Sequence, residues 1–327
     1  MSKCNVWIEV GDVNYQPGDT VTGTAYVEVD KECKCDALTI KKYWATHGKG
    51  NCDSGAAESL ELFTGLWQPG TYNYPFEFVF ERTPVSYHGY NINIDWYLDL
   101  RADIPWSMDP RGKQDLILEK CNDDRYSADE VAGEAHSSTE LTTQKFSPYI
   151  LILFPLIFML IGLYMLIVNF DIIFGGVFTF AGAAISYKFI QSTLAERKLG
   201  QVKCELDINT VKPGDEIKCS ITFSPKSKIK VNAITASLIG KEISTSGSGT
   251  NRSTYYHTFH LNKKKMSPSG HFEKSDYVTD NVLFDIPSDA VASFSARNND
   301  IVWSVEVDID INKWPDWNKT LAVVVID

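Results

Sequence analysis

The sequence predicts an all-β tandem of two β-sandwiches with a two-helix transmembrane hairpin inserted between them. Three observations carry that prediction. An apolar block runs from Tyr149 to Ile190, long apolar/polar alternations lie on both sides of it, and a Pro-Gly-Asp turn recurs in each flank.

The block comes first because it divides the chain. Its 42 residues contain two charges, Asp171 and Lys188. A bilayer core needs about 20 apolar residues in a helix, so the block suits two spans, 149–168 and 172–190, joined by a tight turn at Asn169, Phe170 and Asp171. A helix in a soluble core normally keeps a polar stripe, and none is visible here. Pro155 is expected to bend the first helix. In the second, Gly175, Thr179, Gly182 and Ser186 recur at helical spacing, a small-residue stripe of the kind that lets helices approach closely. That stripe can meet the first helix near Gly162 or a second membrane protein.

A hairpin returns the chain to the side it left. Its turn carries no Lys or Arg, whereas the flanks carry Lys145, Lys188, Arg197 and Lys198. Basic flanks are cytoplasmic, so the expectation is an integral two-span membrane protein in the bilayer, with both soluble domains and both termini cytoplasmic. Met1 to Val13 has no apolar signal-peptide core. The seven cysteines, odd in number and all outside the block, read as reduced thiols. Cys33 and Cys35 with distant Cys52 are the one hint of a metal site, and their spacing fits no common zinc pattern.

The flanks read as β. In the first, Ile92, Ile94, Trp96, Leu98 and Leu100 alternate with Asn93, Asp95, Tyr97 and Asp99; in the second, Ile301, Trp303, Val305, Val307, Ile309 and Ile311 alternate with Ser304, Glu306, Asp308 and Asp310. Period-two alternation marks strands with one buried face, and many short strands with Pro/Gly turns point to antiparallel sandwiches. Pro17-Gly18-Asp19 and Pro213-Gly214-Asp215 each sit between extended stretches, as type II turns do. They are 196 residues apart, while Trp96 and Trp303 are 207 apart, so the second flank has gained about eleven residues between them, placed around Lys263, Lys264 and Lys265. The chain therefore divides into a first sandwich (1–118), an acidic linker (119–148), the hairpin (149–190) and a second, duplicated sandwich (191–327).

A family resemblance rests on these residues. The early Pro17-Gly18-Asp19 turn is followed by Trp67, Pro69, Gly70, Tyr72, Pro75, Phe76 and Phe78, then by Pro84, Ser86, Tyr87 and Gly89, then by a long strand through Trp96. That order resembles an arrestin-like N-terminal domain. The second flank resembles the arrestin C-terminal domain through Pro213-Gly214-Asp215, the stretch from Phe284 to Phe294 and the strand through Trp303. The resemblance implies two sandwiches of about seven strands each and a scaffold role. It does not bring a phosphate-sensing switch, since only Lys3 lies near the first strand.

Charge and chemistry narrow the function. Residues 1–145 carry 13 Lys/Arg and 24 Asp/Glu, whereas 191–327 carry 17 of each. Without a basic footprint nucleic acid is disfavoured. The sequence has no P-loop, no G-x-S-x-G, no H-E-x-x-H and no EF-hand loop. His257 and His260 would point to opposite faces of a strand. No cofactor, metal or catalytic residue is expected, and the chain reads as a non-enzymatic, membrane-anchored scaffold or adaptor for a membrane-protein or cytosolic partner. The alternatives are an accessory subunit of a larger membrane complex docked through the hairpin, and a metal-dependent or hydrolytic enzyme. Candidate contact residues are Ser86, Tyr87, His88, Lys263, Lys264 and Lys265 with the helix stripe. The candidate contact loops are 47–57, 86–90, 244–253 and 263–270.

Overall fold

The computed structural model describes residues 4–80, 83–120, 148–168 and 172–326, and their side chains except those of 148–156, 158 and 186–194. The linker expected at 119–148 lies almost wholly outside these residues.

The first flank folds as β1 (Cys4–Val10), β2 (Asn14–Tyr15), β3 (Thr20–Val29), β4 (Cys33–Gly48), β5 (Ser54–Trp67), β6 (Gly70–Val79), β7 (Tyr87–His88), β8 (Ile92–Asp103) and β9 (Arg111–Leu118). Order β1-β3-β6 makes one sheet and β2-β9-β8-β4-β5 the other, with β7 on β8. Alternation explains the core: Ile92, Ile94, Trp96, Leu98 and Leu100 of β8 are all buried. Trp67 is buried as well and donates its indole N–H to Tyr74 Oη at 2.8 Å.

The second flank repeats the pattern. Its strands are β10 (Lys203–Leu206), β11 (Thr210–Val211), β12 (Glu216–Phe223), β13 (Ile229–Ser246), β14 (Ser253–Met266), β15 (Gly270–Phe272), β16 (Val278–Asp285), β17 (Phe294–Ser295), β18 (Asn299–Ile311) and β19 (Trp317–Val325). They form sheets β10-β12-β16 and β11-β19-β18-β13-β14, with β15 on β13 and β17 on β18. The duplication extends to single hydrogen bonds. Asp19 N bonds Gln16 O and Asp215 N bonds Lys212 O, closing turns in which Gly18 and Gly214 both have φ +89°, the value that a type II turn demands and glycine supplies. Trp96 Nε1 donates to Pro84 O at 2.8 Å, and Trp303 Nε1 to Val291 O at 2.9 Å. Ser86 Oγ accepts from Leu118 N, and Ser293 Oγ from Val325 N. The extra residues of the second flank are not the three lysines, which lie within β14; most of them follow it, in the segment that carries β15 before β16 begins.

Helices α1 (Pro148–Val168) and α2 (Ile172–Leu199) occupy the apolar block. Gly162 faces α2 so closely that an added Cβ would stand 2.5 Å from Thr179 N, and one on Gly175 would meet Leu166 at 2.8 Å. The small residues Gly175 and Thr179 thus face α1, and Gly182 is buried. Ser186 has its side chain outside the described set. The membrane reading, however, is corrected. Among the described residues no helix is long and apolar enough to cross a membrane, so the transmembrane hairpin and the integral, two-span placement derived from it are withdrawn. The first helix ends at Val168, and α2, beginning at Ile172, continues past the block through Gln191, Glu196, Arg197 and Lys198 into the second sandwich, where Ala195 and Leu199 are buried in the core. Lys198 O accepts from Lys226 N, and the Lys198 ammonium lies over the Trp314 ring.

Candidate functional site: the junction between the sandwiches

The most concentrated polar chemistry lies where the two sandwiches meet, and it has a pseudo-two-fold logic. Turn 88–92 and its duplicate 295–299 have the same bond, Gly89 N to Ile92 O and Ala296 N to Asn299 O. Each turn aims backbone amides at a carboxylate from the other half. Glu242, fully buried on β13, accepts from Tyr87 Oη at 2.6 Å and Tyr90 N at 3.0 Å through Oε1, and from Asn91 N at 2.6 Å through Oε2. Reciprocally, Asp53 takes Asn298 N at 2.8 Å and Asn299 Nδ2 at 2.8 Å on Oδ2, and Asn298 Nδ2 at 2.7 Å on Oδ1. Asn91 and Asn298 are equivalents at the 207-residue repeat, so the same backbone position clamps an acid in both directions.

The centre between the clamps is apolar: Ile92, Ile94 and Ile301 are buried together against Tyr87 and Phe294, and Trp44 meets Phe294 edge-on at 5.5 Å. The hairpin tips interlock beside it, with Asn51 Nδ2 donating to Gly247 O and Gly247 N donating to Asn51 Oδ1. Contact is close enough to require a bare backbone at Gly89, where a Cβ would stand 1.7 Å from Glu242 Oε1. The buried Glu242 carboxylate is tolerated because three oriented donors end on it.

Asp300 belongs to the same cluster. Burial, assisted by nearby Asp53, raises its carboxyl above the ordinary range, against the Ser295 Oγ bond at 2.6 Å. A raised acid favours folding fully below its unfolded pKa of about 4 and loses that contribution as pH rises through its folded value. Asp300→Asn is therefore expected to raise Tm at pH 7 relative to wild type. The gap should shrink as pH falls towards ~4; a gap that is constant across a thermal-shift pH series would remove burial of the charge as its cause.

The predicted site residues divide between roles. Tyr87 is in the junction; Ser86 holds β9 beside it; His88 is exposed, its Nε2 2.7 Å from Asp95 Oδ1. Lys263 and Lys265 are exposed on β14, and Lys264 Nζ donates to Leu283 O at 2.6 Å. His257 stacks on Tyr90 at 4.5 Å, while His260 lies beside Trp303 at 5.3 Å and is held below the usual histidine range by burial. Cys33 and Cys35 are buried beside Cys4, whereas Cys52 is exposed at the tip between β4 and β5. Burial pushes the Cys4 and Cys35 thiols up to about 12. Among the described residues no group of three His, Cys, Asp or Glu is arranged to hold a metal ion.

Sequence reasoning missed Glu242, Asp53, Asn298 and Asn299. One signal was present: Glu242 is in phase with Leu238 and Gly240 on the inward face of β13, where a carboxylate is out of place unless it is paired.

Comparison with curated proteins finds no match to the chain. The family model of the Arrestin (or S-antigen), C-terminal domain matches residues 197–325, so that the second sandwich, with the end of α2 that anchors it, is similar to an arrestin C-terminal domain.

Proposed function

We propose that the chain is a non-enzymatic adaptor whose two sandwiches, clamped in one orientation, present strand edges and loops to a protein partner. The observation that carries this reading is the arrestin C-terminal-domain match over 197–325. The junction supports it, because Glu242 and Asp53 are spent on holding the halves together rather than turned towards a cavity. The junction also narrows where a partner can bind. Loops 47–57, 86–90 and 244–253 supply the clamps, the interlocked tips and the Tyr87 contact, which leaves the region of Lys263 to Gly270 as the one of the four outside the junction.

A second reading has its own observation. Val177 and Phe180 of α2 and Leu160 and Tyr164 of α1 remain more than half exposed, as expected if the helix pair docks the chain as an accessory subunit onto a larger protein complex. Affinity purification of the full chain separates the two. The adaptor is expected to retain substoichiometric protein partners when Val177 and Phe180 are changed to Ser. One fixed complex at 1:1 stoichiometry, lost in that variant, would replace the adaptor reading with the subunit reading.

A further inference from the structure

We infer that the free edge of β14 is a docking strand for an extended acidic peptide, which rests on the adaptor reading and gives its partner a chemistry. Four observations converge there.

First, β14 ends its sheet. It pairs with β13 on one side, and among the described residues its outer backbone groups make no strand-to-strand bond. Second, the edge is regular where the charge lies. From His260 to Met266 the register with β13 is unbroken, the one shift falling at Gly240/Lys241. The counterpart edge, β5, is interrupted by three register shifts and carries Glu58 and Glu61, so one sheet edge is broken and acidic while the other is regular and basic.

Third, the side chains on the outer face of this stretch form a short code. Leu261 is 63 % exposed, and Lys263 and Lys265 follow at alternate positions. Lys241, on the same face, is paired with Glu306 at 2.7 Å; among the described residues Lys263 and Lys265 form no ion pair within 4 Å, and Lys263 acts on the Asp308 carboxyl only from a distance, partly offsetting the rise that burial imposes on it. Fourth, Lys264 points inward and bonds Leu283 O across the mouth between β14 and β16, its ammonium over the Phe284 ring. That staple fixes the edge without using its outer hydrogen-bonding row.

A strand added to an edge lies about 4.8 Å from it, and side chains directly opposite interact in pairs. An antiparallel addition, the more stable kind, sets acid-x-acid-x-apolar beside Lys265, Lys263 and Leu261. Lysines on an exposed edge also repel basic strands and deter apolar ones that would bury their charge, and the same charges that deter self-pairing select an acidic strand. Partners that add a strand gain affinity from main-chain bonds and specificity from alternate side chains.

The test is a titration of the full-length chain with a fluorescein-labelled Thr-Glu-Thr-Glu-Thr-Val-Thr peptide and a control in which both Glu are Lys. Saturable binding of the acidic peptide is expected, weakened about tenfold in K263E/K265E, as two charge pairs change sign. Both substitutions are at exposed positions, and an unchanged melting curve certifies the fold. Absence of saturable binding, or equal binding of the acidic and basic peptides, overturns the proposal. Affinity capture with the same variant separates this failure from that of the adaptor reading. Partners retained by both wild type and K263E/K265E, with no peptide binding, sink the β14 edge and leave the adaptor standing; partners held by neither sink both.

Discussion

Glu242→Ala is expected to destabilise the chain by about 3 kcal/mol or more and to uncouple its two halves. The carboxylate is fully buried, and three donors end on it: the Tyr87 hydroxyl and the amides of Tyr90 and Asn91. A buried donor stripped of its acceptor costs roughly 1–3 kcal/mol, and here three lose it together. Water entering the vacated space returns part of that, which is why the sum is not three times the upper value. Asp53→Ala should cost less, since Asp53 is only half-buried and Thr46, Asn51 and Asn299 continue to bond one another around it. The coupling is the more telling readout. With the clamp intact, heat should unfold the sandwiches in one transition; without it, two should separate, since cooperativity between domains depends on their interface. Differential scanning calorimetry of wild type and Glu242→Ala reads both. A single transition at the wild-type temperature would show that Glu242 does not hold the halves together.

The contrast between what was legible in the sequence and what was not follows from the range of each signal. Alternation is local, so the strands through Trp96 and Trp303 could be read from apolar phase alone, and the Pro-Gly-Asp turns from the φ that Gly18 and Gly214 must adopt. Duplication is a relation between two local patterns, so it was visible too. The junction is a relation between halves separated by more than 150 residues, as Tyr87 and Glu242 are. Nothing near Tyr87 announces that its hydroxyl will meet Glu242, and the turn at Ser86 to Tyr90 was legible as a motif but not as a clamp. The apolar block failed for the opposite reason. Its composition is a strong local signal, yet the continuation of α2 to Leu199 and the burial of Ala195 and Leu199 in the second sandwich are set by tertiary packing. Lys42 shows the same limit inside a single strand. It stands in phase with Leu38 and Ile40 on β4, where alternation predicts an apolar side chain, and only the folded sandwich shows where its ammonium goes.

Lys42→Ala is expected to cost about 2–5 kcal/mol, the range for emptying a long side chain from a core, whereas Lys42→Met should leave stability close to wild type. Lys42 is fully buried, its ammonium about 6 Å from the ring centroids of Phe78, Phe80 and Trp96, donating to Val79 O and paired with Glu58 at 3.0 Å. The charge leaves the core at the margin of β6, where the Glu58 carboxylate is half exposed and can take water if the ammonium is removed. Replacing a buried ion by an apolar isostere is often neutral for that reason, and a thioether makes its own favourable contacts with the three rings. Alanine keeps neither the volume nor the contacts. Chemical denaturation of the three proteins decides the matter. If methionine is as damaging as alanine, the charge rather than the volume holds this margin of the first sandwich, and Lys42 acts as Lys264 and Lys319 do in the second, where each ammonium bridges to a carbonyl of the facing sheet, Leu283 O and Cys204 O. If methionine is tolerated, volume is what the first sandwich requires. The lysine staples are then separable from stability in one domain, while in the other Lys264 holds the mouth beside the β14 edge.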